Sequence, residues 1–276
     1  MIHIAIATDQ RYWGYLPGLL CSIMINSTEY VKAHILVRDV PQAKQWADIF
    51  STEALQVDII DCGSFLADVK LYLASNTTRS TMDRLLLPSA LPGVDRVIYL
   101  DIDTLVLSDL KELYSQDTGP VGLKAKRSKN PHVATIGNSL RAWGHDNCEQ
   151  ILDHIDGKWP SFNAGVMLMD LECLRQCDFT AKTMRYVHEF GVNDQHACAI
   201  YAEGRCAPLA PSWNVFIGSD HDRTTPWHIL HWAGSVKPWT PTAALHEMWL
   251  SYQPNHGVSC QNSRMPRVIE TLDSMK

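Results

Sequence analysis

The residues best suited to chemistry are two aspartates, Asp101 and Asp103, separated by the apolar Ile102 and placed directly after the apolar run Val97 to Leu100. If that run continues as a strand, its period of two sends both carboxylates to one side and Ile102 to the other. Two carboxylates side by side repel unless a cation compensates them. Hard oxygen ligands in this arrangement suit Mg²⁺ or Mn²⁺, ions that also hold a diphosphate. Asp-x-Asp alone is commonly a loop cap; the strand before it supplies the context a metal motif requires. A second segment, Trp227 to Trp239, opens on a short apolar run and then carries His231, Gly234 and Lys237. An imidazole beside two carboxylates favours manganese over magnesium. Gly234 admits close approach of the backbone to a phosphate, and Lys237 brings a neutralising charge. His228 is assigned no role.

Such residues need a scaffold, and the chain alternates short apolar runs with helix-like stretches. Ile2 to Ala7, His34 to Val37, Val57 to Ile60, Val97 to Leu100 and Ala164 to Met169 read as strands. Leu16 to Asn26 and Ala43 to Phe50 read as helices between them. Strand and helix in alternation define an α/β fold with a largely parallel sheet, in which ligands bind beyond the carboxyl ends of the strands. Beyond about Pro238 the chain turns rich in Trp, His and Pro, and reads as a small extension packed on the main body.

Composition narrows the class. Of 276 residues, 46% are hydrophobic and 20% charged, as in ordinary globular proteins. No run approaches the ~18 apolar residues of a spanning helix. The opening MIHIAIATDQ reads as a strand, not as a signal peptide, so the expected location is cytoplasmic. A net charge of −6 disfavours nucleic acid as a partner. The eight cysteines form no CxxC pair, and are expected as reduced thiols with no zinc site.

Five ordered blocks carry a family resemblance: IAIATDQRYWGYL; MDRLLLP with VIYLDIDTLVL; FNAGVMLMDL; NDQHACAIYAEGR; and ILHWAGSVKPW. Over roughly Ile4 to Trp239 the chain resembles glycosyltransferase family 8, which includes bacterial lipooligosaccharide galactosyltransferases and, more distantly, the glycogenins. The resemblance implies a GT-A type, Rossmann-like α/β domain with a mostly parallel central sheet over residues 1–239, and a C-terminal extension over 240–276. It implies a retaining hexosyltransferase that uses a UDP-sugar donor and Mn²⁺ or Mg²⁺, and a glycan or lipid-linked glycan acceptor. The lipopolysaccharide-type acceptors of such relatives imply peripheral contact with the inner face of a membrane.

Position by position, Asp101, Asp103 and His231 match the metal ligands, with Ile102 between the two aspartates at the donor. Asp9 matches an acidic residue that recognises uracil, with Ala7 and Thr8 beside the base. Arg84 and Asn163 match residues at the donor sugar, and Gly234 and Lys237 match residues at the diphosphate. Asp194 and Gln195 match the catalytic pair beside the anomeric carbon. Since Gln is a poor nucleophile, a same-face transfer is expected, with Gln195 supporting the sugar and Asp194 holding its hydroxyls. Three features depart from the family's pattern. Gln10 and Arg11 stand where acidic or amide residues are expected at the ribose. His196 replaces a further acid and is expected to alter recognition of sugar hydroxyls. Lys124 to Asn138 is basic and reads as a solvated loop. The competing readings are a UDP-sugar hydrolase and a non-catalytic nucleotide-sugar-binding protein.

Overall fold

The computed structural model describes residues 1–38, 43–44, 47, 50–65, 78–218 and 226–253. The chain forms two compact units: Met1–Gly63 with Leu100–Ser115 and Pro211–Lys276, and Ser64–Tyr99 with Gln116–Ala210. The class is α/β with a mostly parallel central sheet, as the alternation of elements predicts.

In the first unit, β1 (Ile2–Ala7), β2 (Val31–Val37) and β3 (Leu55–Asp61) run in the order β3-β2-β1, every pair parallel. The expected strands at His34 and Val57 are the carboxyl-terminal parts of longer ones. Between β1 and β2 lies the helix Leu16–Asn26, with Leu16 through Met24 all buried. A helix apolar on every side is covered on every side. Its polar exceptions have a task. Ser22 Oγ accepts the Val106 N–H at 3.0 Å, and Asn26 Nδ2 donates to the Val106 carbonyl at 3.0 Å. They hold β5 (Thr104–Val106), the strand that follows the paired aspartates. A three-stranded sheet, β5-β10-β9, is completed by β9 (Val215–Phe216) and β10 (Ile229–His231). Of the expected helix Ala43 to Phe50, residues 43, 44, 47 and 50 are helical and the others lie outside the described residues.

The second unit holds β4 (Arg96–Leu100, up to Tyr99), β6 (Leu123–Arg127), β7 (Phe162–Asp170) and β8 (Ala207–Pro208), in the order β4-β7-β6-β8. β6 and β8 are parallel, and β6 and β7 antiparallel. Here the basic segment departs from the expected solvated loop. It begins as β6, continues as a 3-10 turn at Pro131–Val133, and enters the helix Ile136–Ala142. Strand pairing with β7 outweighs its charge, and Lys126 is buried in it.

The carboxyl-terminal segment packs on the first unit as far as it is described. Trp249, on the helix His246–Leu250, is buried beside Tyr15 and Trp239, whose rings stack at 4.1 Å. His256, Arg264 and Arg267 lie outside the described residues. Cys62, Cys148, Cys173, Cys177, Cys198 and Cys206 are free thiols. Cys21 is disulfide-bonded, against the expectation that all eight are reduced. No helix among the described residues is long and apolar enough to cross a membrane.

Candidate functional site

In the first unit, Asp101, Ile102 and Asp103 do not continue a strand. They form a tight turn in which the Thr104 N–H and Oγ1 both donate to the Asp101 carbonyl, at 3.2 and 2.7 Å. The carboxylates therefore share a side because of the turn, not because of strand alternation. Beyond the turn, antiparallel pairing sets Thr104 opposite His231, and the Trp232 N–H donates to the Asp103 carbonyl at 3.1 Å. This register brings a distant histidine to the two aspartates. Nε2 of His231 lies 3.5 Å from Asp103 Oδ1 and 3.9 Å from Asp101 Oδ2.

His231 is oriented from behind. Its Nδ1 is 2.9 Å from Oδ1 of Asn214, which is fully buried beside β9. An amide oxygen only accepts, so Nδ1 carries a proton and Nε2 is the nitrogen turned toward the carboxylates. A ligating histidine is commonly fixed in this way, by a hydrogen bond on its other nitrogen. The three ligand atoms lie within 4.8 Å of one another. Two of their separations already fall within the about 4.2 Å span open to ligands on one small divalent ion. Two carboxylates and an imidazole thus fit a divalent cation in chemistry and in placement.

Lys237 completes the cluster, its Nζ 2.5 Å from Asp103 Oδ2 and 3.3 Å from the Trp232 carbonyl. Burial opposes the charge on Asp103, but His231 and Lys237 outweigh it and hold the carboxyl well below its ordinary range. Gly234 has φ +140°, a conformation open to glycine, and a Cβ there would meet open space. Conformation, not crowding, calls for a glycine at this position. Ala7, the last residue of β1, and Thr8 just after it are buried, and Asp9 caps the 3-10 helix Gln10–Tyr15. Ile102 is half-buried in the turn.

In the second unit, Arg84, Asn163, Asp194 and Gln195 come together around an irregularity of β7. The β6–β7 register passes from Ala125↔Met167 to Lys126↔Asn163, which leaves residues 164–166 out of the ladder. The backbone groups freed by this bulge hold side chains. The Ala164 N–H donates to Gln195 Oε1 at 3.3 Å, and the Ala164 carbonyl accepts from Arg84 Nη1. Bulges commonly re-aim groups next to sites of this kind. Asn163 turns back on its own strand, accepting the Gly165 N–H at 3.0 Å.

Arg84 is 2% exposed. Its Nε lies 3.0 Å from Asp194 Oδ2 and donates to the Thr81 carbonyl at 2.9 Å, and its guanidinium sits 4.2 Å over the Tyr99 ring. Thr81 Oγ1 approaches Asp194 Oδ1 at 3.3 Å. Arg84 is therefore a buried strut between its 3-10 helix (Arg79–Leu86), β7 and the helix Asp194–Ala202, and not a surface ion pair. Asn193 caps the last helix, accepting the His196 N–H at 2.8 Å, so Asp194 and Gln195 form its first turn.

His196 does not join this cluster. It is 1% exposed and its Nε2 pairs with Ser139 Oγ at 2.9 Å. Burial, with His145 nearby, pushes its pKa down to about 3 and keeps it neutral. One helical step past Gln195 turns the ring into the core, so the expected effect on hydroxyl recognition has no support here. Asn214, Thr81 and Tyr99 were not legible as site residues. Each acts through a partner that only sheet pairing or helix packing brings near.

The fold is α/β, its first unit gathers three residues that could hold a divalent cation, and similarity to known proteins gives the family. Residues 3–243 match glycosyl transferase family 8, and the chain belongs to that family. It is a glycosyltransferase. General stress protein A of Bacillus subtilis is 22% identical over 87% of each chain. Glycosyltransferase 8 domain-containing protein 1 of Xenopus laevis is 28% identical over 90% of this chain and 77% of its own. The fold matches that of the galactosyltransferase LgtC in complex with donor and acceptor sugar analogs, with a TM-score of 0.72 and 21% identity over 92% of this chain and 96% of that one. The architecture is therefore GT-A.

Proposed function

We propose that the protein is a retaining, metal-dependent hexosyltransferase that takes a sugar from a UDP-sugar and attaches it to a glycan or lipid-linked glycan. The observation that carries this reading is the cluster of Asp101, Asp103 and His231, with Asn214 fixing the imidazole so that Nε2 is presented as a ligand. A divalent cation held by these three, Mn²⁺ in preference to Mg²⁺ because of the imidazole, supplies Lewis-acid stabilisation to the departing diphosphate.

The chain's own residues divide the remaining work. Ala7, Thr8 and Asp9 take the base. Lys237, paired with Asp103, exchanges that partner for the diphosphate and neutralises charge as the C1–O bond breaks. Gly234 leaves the backbone beside Lys237 open to the phosphates. Asn163 and Arg84 border the sugar. Asp194 is ion-paired with Arg84, which makes it a poor nucleophile and suits it to hold sugar hydroxyls. Gln195 has its Oε1 tied to the Ala164 N–H, so its amide NH2 is the group it presents to the sugar. The new C1–O bond then forms on the face the phosphate leaves, and the phosphate oxygen accepts the acceptor's proton. The acceptor is read from the family alone, as a glycan or glycolipid handled in the cytoplasm at the inner face of a membrane.

The test is slow release of free UDP from a panel of UDP-sugars, with and without Mn²⁺. Release from one sugar, dependent on manganese and lost in Asp103→Asn, supports the reading and names the donor. Turnover of a UDP-sugar without manganese, or binding without turnover when acceptors are supplied, overturns it.

A further inference from the structure

Lys126 takes no part in the work divided among Arg84, Asn163, Asp194 and Gln195, yet it belongs to the same cluster. Within the basic run of β6, Arg127 is exposed and Lys124 partly so, and they donate to the carbonyls of Cys206 and Asp117, each at 3.1 Å. Lys126 between them is 4% exposed. It stands opposite Asn163, the first pair past the slip in the β6–β7 ladder. Directly opposed residues of an antiparallel pair send their side chains to one face, with Cβ atoms about 5 Å apart. The Lys126 side chain therefore shares a face with Asn163, at the bulge where the Ala164 backbone holds Gln195 and Arg84. Charge distinguishes it from these neighbours. Arg84 and Asp194 pair at 3.0 Å and cancel, and Asn163 and Gln195 are neutral amides. Lys126 adds one positive charge to the group, in a buried setting.

We propose that Lys126 selects an anionic donor sugar, a hexuronic acid with a C6 carboxylate in place of the hydroxymethyl group of a neutral hexose; the inference rests on the reading of Asn163 and its neighbours as the border of the donor sugar. A neutral hexose presents only hydroxyls, and the amides of Asn163 and Gln195 serve those without an ammonium. A buried cation at its side gains little from such a sugar and still carries the cost of its own desolvation. A carboxylate meets the same cation in a charge-assisted hydrogen bond, about twice as strong as a neutral one and stronger again away from water. Lysine suits the task as a point charge on a flexible stem, which follows a carboxylate free to turn about its C5–C6 bond. Selectivity is then a difference between two donors of the same nucleotide, set by one charge at one position.

The experiment compares UDP-glucuronate and UDP-galacturonate with UDP-glucose and UDP-galactose, using the full chain with Mn²⁺ as wild type, Lys126→Met and Lys126→Arg. Calorimetric titration gives affinity, and release of UDP gives turnover. No acceptor is present, so any preference belongs to the donor and not to an acidic acceptor. The wild type is expected to favour one hexuronate over its neutral counterpart by about tenfold or more, the scale of a hydrogen bond to a charged group. Lys126→Met, which keeps the length of the side chain and removes the charge, is expected to cut that ratio by about ten- to hundredfold. Lys126→Arg, which keeps the charge, is expected to retain part of it. A wild type with no preference, or with a preference for the neutral sugars, overturns the inference whether or not the variants fold. A preference for hexuronates that survives in a folded Lys126→Met overturns it as well. A wild type that binds neither UDP nor any UDP-sugar overturns the nucleotide reading itself, a different result from the other two.

Discussion

The two charged clusters are built on opposite plans. In the first unit, Asp101, Asp103 and His231 concentrate ligand atoms, and the cation on Asp103 is a partly exposed lysine. In the second, Arg84 and Asp194 are both buried and satisfy each other, with Thr81, Tyr99 and the Ala164 carbonyl closing the remaining gaps. One cluster keeps its charge available to an incoming ion, and the other spends its charge on holding itself in place. The difference teaches where each should fail. Neutralising a carboxylate in the first should cost activity, and doing so in the second should cost structure.

Asp103→Asn is the strongest test of that contrast. We expect manganese-dependent UDP release to fall by about three orders of magnitude, the scale of losing charge stabilisation on a leaving group. Electron paramagnetic resonance of Mn²⁺ should show the ion unbound, with a smaller loss of melting temperature than in Asp194→Asn. Equal destabilisation in both would dissolve the comparison. Asp194→Asn leaves the Arg84 charge buried without its counter-ion, which costs about 3–5 kcal/mol. Denaturant unfolding reads this directly, and Arg84→Met/Asp194→Leu should recover part of the loss. Asn214→Ala frees the His231 ring without removing a ligand, and should weaken Mn²⁺ binding by about 10–100-fold while the bound ion still supports turnover. No change in metal affinity would make Asn214 a packing residue only.

The smallest effect concerns pH, and it sharpens the comparison because each unit buries a neutral imidazole. Burial pushes His34 in the first unit down to about 4, and His196 in the second to about 3. A depressed histidine is protonated first in the unfolded chain, so stability is held above the ordinary histidine value of about 6.5 and lost as pH falls toward the folded value. Each group contributes at most about 1.4 kcal/mol per pH unit. Unfolding free energy measured from pH 7 to pH 4 should therefore decline. His196→Gln should flatten the decline; an unaltered slope in that variant would remove His196 from the account.

Pattern along the chain sets the elements and the inventory of the site. Continuous apolar runs such as Ile2 to Ala7 bury on both faces and leave few alternatives to a strand, and Leu16 to Asn26 is a helix with the bounds its pattern predicts. Five ordered blocks sufficed for the family because spacing in the chain records which residue types the site requires. How those residues are held depends on contacts between segments far apart in the chain. Asp103 and Lys237 are 134 residues apart, and the partnership of His231 with Asn214 depends on where β9 and β10 pair. The turn at Asp101–Asp103, the bulge that frees Ala164, the inward rotation of His196 and the burial of Lys126 all follow from pairing and packing between distant segments. Local periodicity carries no record of these, because a backbone hydrogen bond or a buried charge is settled by whatever the fold brings beside it.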